Sequence, residues 1–85
     1  MQNRQSMNDI KNALAREIAV ALNSTFFTTE IEISELNVDN VYSVKGSFKD
    51  VAFLTNIARR KGKFEAKLDE NLKIINLKIT EDQQQ

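Results

Sequence analysis

Apolar residues recur at Met7, Ile10, Leu14, Ile18 and Leu22, spacings of three and four that draw one stripe along a helix over 6–23. Ser6 followed by Asp9 has the residue types of a capping box, and Asn23 suits a left-handed stop. Ala13, Ala15, Ala19 and Ala21 raise helix propensity and permit close packing. From Ser24 the period changes to two. Phe27, Thr29, Ile31 and Ile33 share one face, while Thr28, Glu30, Glu32 and Ser34 share the other. Leu36 and Val38 have the opposite parity, which predicts a bulge or strand end near Ser34–Glu35. Asp39-Asn40 is a turn. A second strand then alternates Tyr42, Val44, Gly46 and Phe48 against Ser43, Lys45, Ser47 and Lys49. Gly46 on the apolar face signals close packing or a bulge.

Residues 50–61 admit two readings. Asp50 suits a helix N-cap, Gly62 a position just past a C-terminus, and Arg59, Arg60 and Lys61 the negative end of a helix dipole. Val51, Leu54, Ile57 and Ala58 have helical spacing, with Phe53 on the flank. The competing reading runs the preceding strand on through Val51–Leu54, because Val and Phe favour strands. Stop signals at both ends favour the helix. The tail returns to period two, with Phe64, Ala66 and Leu68 facing in, a turn at Asp69-Glu70-Asn71, and Ile75, Leu77 and Ile79 on the last strand. The expected fold is therefore α+β in the order αββαββ. Four antiparallel strands carry two helices on one face, a ferredoxin-like variant. The other face would be wet, with Glu30, Glu32, Lys45, Lys49, Lys63, Glu65, Lys67 and Lys78.

Eighty-five residues, 41% of them hydrophobic, supply one core, so a single domain over 1–85 is expected, ordered over about 6–80 with polar, frayed ends. Met1–Ser6 is polar and no apolar run nears the ~18 residues of a membrane span, which makes the chain as written soluble, without direct membrane insertion. It is cytoplasmic on this reading, or periplasmic if cut from a longer protein. Neither cysteine nor histidine occurs, which removes thiol nucleophiles, imidazole bases and the usual soft metal ligands. No enzyme and no cofactor is expected.

The remaining chemistry is sparse. Glu30 and Glu32 point the same way about 6–7 Å apart, a spacing that serves a hydrolase or a hard cation, but no pocket is built around them. Asp69 and Asn71 lack the glycine and closing glutamate of a calcium loop. Ser43 or Ser47 beside Lys45 or Lys49 would need a desolvated lysine, and these lysines lie on the wet face. Formal net charge is zero, yet residues 45–78 hold nine basic and four acidic groups while residues 1–44 hold three and six. The run Arg59-Arg60-Lys61-Gly62-Lys63 is the sharpest signal. It is either a phosphate-binding patch or a complement to a helix dipole. Tyr42, Phe48 and Phe64 all have buried parity, so no aromatic platform for bases accompanies it. Phe26 and Phe53 fall outside the core pattern and mark a candidate partner surface, as do free sheet edges.

Val41-Tyr42-Ser43-Val44-Lys45-Gly46, then Asp50, an apolar helix and Phe64-Glu65-Ala66-Lys67-Leu68 resemble the small periplasmic domain of inner-membrane assembly proteins of type IV pili and type II secretion systems. Val44-Lys45-Gly46 and Asn76-Leu77-Lys78-Ile79 are also similar to BON domains, bacterial envelope modules of the same element order. Both resemblances imply assembly by protein contact and carry no catalytic residue onto this chain. The expectation is a non-enzymatic interaction module binding a protein partner or a second copy as a homodimer, through Phe53, Arg59, Arg60, Lys61 and Lys63. A nucleic-acid-binding or regulatory protein using the basic run is the alternative.

Overall fold

In the computed structural model residues 6–51 and 58–82 are described, with the backbone alone for Phe26, Ala58 and Arg59. Helix α1 covers Met7–Ala21, a single 3-10 turn covers Phe26–Thr28, and four strands follow: β1 Thr29–Val38, β2 Tyr42–Val51, β3 Ala58–Leu68 and β4 Ile74–Glu81. The strands form one antiparallel meander in the order β1-β2-β3-β4, so β1 and β4 are the edges. The class is α+β, with one helix among the described residues.

The ends of α1 are set locally. Ser6 accepts from the Asp9 backbone and Asp9 returns a bond to the Ser6 amide, a complete capping box. Asn23 turns left-handed at φ 57°, the Ser24 amide reaches the Ala19 carbonyl and the Asn23 amide that of Val20, which is a Schellman ending. Between those ends Ile10, Leu14, Ile18 and Leu22 are buried against Tyr42, Val44, Phe48, Phe64, Ala66 and Leu68. Each buried aliphatic chain contributes on the order of 1.5–3 kcal/mol, far more than helix propensity supplies, so packing holds α1. The helix backbone comes closest to β1 and β4 and less close to the central strands. The bulky Phe48 and Phe64 pack with the helix stripe in the core over the central strands.

The second helix expected over 50–61 is corrected at both of its ends. Asp50 and Val51 close β2, and Ala58 through Lys61 open β3, with Asp50 opposite Arg60 and Val51 opposite Ala58. The centre of that helix, 52–57 with Phe53 in it, lies outside the described residues. The physical reason is periodicity: Lys61, Lys63, Glu65 and Lys67 point outward and Gly62, Phe64, Ala66 and Leu68 inward without a break, so the strand period runs back past Gly62. Gly62 stops no helix; it is an inner-face glycine.

Both glycines serve close approach, and neither has positive φ. A Cβ on Gly46 would overlap the Glu32 carbonyl oxygen and meet the Phe64 ring at 3.0 Å. One on Gly62 would overlap the Thr80 carbonyl and meet Glu81 Cα at 2.8 Å and Phe48 Cε2 at 2.9 Å. Gly46 faces Phe64 and Gly62 faces Phe48 across the same strand pair, so each ring lies over the gap that its partner glycine leaves.

Two bulges shape the edges. One falls at Ser34, between Ile33 and Glu35, where the change of parity predicts it, and Ser34 Oγ donates to the Lys45 carbonyl at 3.1 Å. The other shifts β4 against Leu68, so that Ile74, Leu77 and Ile79 face the core and Ile75 is exposed. The expected inward Ile75 is corrected accordingly. Phe27 is also corrected: the 3-10 turn takes it off the strand's buried face and leaves it 90% exposed.

Candidate functional site

Three regions hold the polar chemistry: a buried node at the base of the sheet, the outer face, and the edge of β1. The node begins with Asp50, only 3% exposed. Thr28 Oγ1 donates to Asp50 Oδ1 at 2.8 Å, and with its single proton so placed it accepts from Thr25 Oγ1, also at 2.8 Å. Thr29 Oγ1 donates to the Thr25 carbonyl at 2.7 Å. These bonds fasten the segment after α1 to the end of β2. Sequence reasoning missed this role, and the clustered hydroxyls Ser24, Thr25, Thr28 and Thr29 were its only local sign.

Arg60 stands opposite Asp50 on β3 and completes the node. Its Nη1 donates to the Leu22 carbonyl at 2.5 Å, and Nε and Nη2 form a bidentate pair with Glu81 at 2.9 and 2.5 Å. The last turn of α1 has no basic residue of its own, so an arginine 38 positions away answers the carbonyl of its C-cap, Leu22. The hydrogen bond from Arg60 holds the Glu81 carboxyl below its ordinary value, and the same bond raises Arg60, against a smaller opposing effect of burial. Arg60 thus complements a helix dipole, as its sequence position allowed, but that of α1.

The basic run is divided by strand alternation. Arg60 faces the node, whereas Lys61 and Lys63 point out of the sheet and are exposed. The side chain of Arg59 and all of Phe53 lie outside the described residues, so of the five predicted contact residues the structure places three and brings only Lys61 and Lys63 together. Register sorts the outer face into cross-strand rows. Glu30, Lys49 and Lys61 form one; Glu32, Ser47, Lys63 and Thr80 the next; Glu35, Lys45, Glu65 and Lys78 a third. Opposite signs alternate along the third row, whereas the first sets Lys49 beside Lys61 and pairs Lys49 Nζ with Glu30 Oε1 at 3.6 Å. All eight residues expected on the wet face are exposed. Lys45, Lys63 and Lys78 surround a shallow hollow of about 450 Å³ with Glu65 among them.

The remaining candidates have structural duties or stand apart. Asp69 Oδ1 accepts from the Asn71 and Lys73 amides at 2.8 and 2.9 Å and closes the β3–β4 turn. Ser43 and Ser47 are half-buried beside exposed lysines. Among the described residues no three acidic groups converge as metal ligands do, and no helix is long and apolar enough to cross a membrane.

Both edges of the sheet keep inward apolar residues half-buried, Ile31, Ile33 and Leu36 on β1 and Ile74, Leu77 and Ile79 on β4. At the β1 edge Phe27, 90% exposed, precedes the strand and Val38, 65% exposed, ends it. A groove of about 500 Å³ runs between α1 and this edge, lined by Ala15, Phe27 and Ile31 together with Asn8, Asn12 and Lys11. No family model, curated protein or solved structure matches the chain. The likeness to pilus, secretion and BON domains therefore rests on sequence pattern alone.

Proposed function

We propose that this chain is a non-enzymatic protein-interaction module whose binding surface is the open edge of β1. One observation carries the reading: the apolar inner face continues out to that edge half-covered, through Ile31, Ile33 and Leu36, with exposed Phe27 and Val38 at its ends. An added strand would cover those side chains and pair the outward backbone groups of β1. Catalysis is disfavoured because the buried carboxylate, Asp50, is engaged by Thr28 inside the structural node.

A second reading, contact with a nucleic-acid backbone, is favoured by the lysines of β2–β4, with Lys49, Lys61 and Lys63 contiguous on the outer face. A tagged capture from lysate separates the two when run with nuclease and with the edge variant Ile31→Lys/Ile33→Lys. A defined partner retained through nuclease but lost from the edge variant supports strand addition. Capture that collapses with nuclease and persists in the edge variant moves the function to the lysine rows.

A further inference from the structure

We propose that the edge of β1 is built for a basic partner strand: an extended segment in which lysine or arginine alternates with apolar residues, added as a fifth strand beside Thr29–Ile33. This rests on the interaction reading above and specifies its partner's chemistry. On the outer side β1 presents Glu30, Glu32 and Glu35 in a column, all exposed. From β2, Lys49 pairs with Glu30 at 3.6 Å, but Glu32 is met by Ser47, which carries no charge, and the lysine opposite Glu35, Lys45, also lies opposite Glu65. Negative charge is therefore left uncompensated at Glu32 and only partly answered at Glu35. An incoming strand sets its own outward residues about 4.5–5.5 Å from these carboxylates, where alternate cations would meet them.

The inner side asks for the opposite chemistry. Side chains there would lie over the exposed parts of Ile31 and Ile33 and in the groove walled by Ala15 and Phe27. Lys11 and Glu30 both line that groove, so its charges offset one another and the apolar walls of Ala15, Phe27 and Ile31 are what an inward side chain meets. Cations outward and apolar groups inward make an alternating segment. Its length is bounded by the bulge at Ser34, which interrupts the regular ladder after Ile33.

The same charges oppose the obvious rival occupant in the registers centred on Glu30 to Glu32. Two copies of β1 pairing antiparallel about Ile31 would set Glu30 against Glu32 twice, and pairing about Glu30 or Glu32 would set a glutamate against itself. The other edge, β4, carries Lys78 outward, and its Glu81 is held by Arg60, so a basic strand has no comparable column there.

The test uses the full chain labelled with nitrogen-15 and three capped heptapeptides as probes: lysine alternating with valine, the same composition in two blocks, and glutamate alternating with valine. The alternating lysine peptide is expected to shift the amides of Thr29–Ile33 saturably, and Glu30→Lys/Glu32→Lys to weaken it roughly tenfold, while Lys78→Glu leaves it unchanged. The substituted side chains are exposed, and the spectrum of each variant reports its fold directly. Equal binding of the block peptide would overturn the proposal, because charge without strand geometry would then suffice. If the glutamate peptide shifts the same amides as strongly, the edge remains a strand acceptor but the basic-partner inference fails. If no peptide moves the β1 amides while a single-stranded oligonucleotide shifts Lys61 and Lys63, the interaction reading fails with it.

Discussion

At the scale of single residues, the two glycines and the buried aspartate do what no neighbour could take over. Alanine in place of Gly46 or Gly62 puts a methyl group into backbone on one side and a phenyl ring on the other. Neither obstacle is the flexible end of a long side chain. Gly46→Ala and Gly62→Ala are each expected to destabilise by about 1–3 kcal/mol in urea unfolding, although alanine normally improves on glycine inside a strand. An unchanged midpoint would mean that the strands can separate slightly at no cost. Asp50 is a second such point. Asp50→Ala strands the Thr28 hydroxyl in a buried site, so a loss of about 1–3 kcal/mol is expected, with Asp50→Asn closer to the parent because an amide oxygen still accepts. At Glu81 the effect depends on pH. Its pKa is lowered in the fold, so its contribution is present above its ordinary value of 4.5 and is lost as pH falls through the lower folded value. Glu81→Gln should therefore flatten the acid limb of a stability–pH profile below about pH 4.5, and added salt should reduce the difference. Parallel acid limbs for parent and variant would show that the Arg60 pair does not persist in solution.

At the scale of elements, α1 is held by its buried stripe, so Leu14→Ala is expected to cost about 2–5 kcal/mol, a large part of a small domain's stability. Hydrogen exchange should follow the same logic, slowest in β2 and β3 and faster in the edges β1 and β4. The elements legible in the sequence are those whose signals are local. Both ends of α1, the alternation of β2 and the bulge at Ser34 can each be read within a few residues. The segment 50–61 was misleading because its end signals are ambiguous physically. An aspartate that accepts backbone bonds at a helix start also accepts a hydroxyl from a distant loop, and a glycine suited to a helix stop also suits a close strand approach. The unbroken alternation from Lys61 to Leu68 was the better guide. Ile75 and Phe27 departed from pattern because a bulge and a 3-10 turn each change parity, and neither leaves a residue-type mark. Arg60 was legible as a cation for a helix end, but not for which helix, since that depends on a contact across the whole fold.

At the scale of the whole molecule, zero net charge conceals an ordered separation. The carboxylates of β1 lie at one edge and the lysines of β2–β4 beside them on the same face. This arrangement bears on whether copies of the chain would pair through β1. An open strand with half-covered isoleucines would ordinarily favour self-pairing, and the glutamate column opposes it here. If that column is the obstacle, reversing one of its charges should remove it. In an antiparallel pair about Ile31, Glu32→Lys places the introduced lysine opposite Glu30 of the second copy, twice by symmetry, so two repulsions become two attractions. Sedimentation velocity is expected to show the parent free of β1-mediated dimers, and E32K associating as its concentration rises, less so in high salt. Glu32→Gln, which removes charge without reversing it, should fall between them. Association of the parent as strong as that of E32K would mean that copies meet through another surface, and a monomeric E32K would mean that backbone geometry at the Ser34 bulge, and not charge, keeps the edge single.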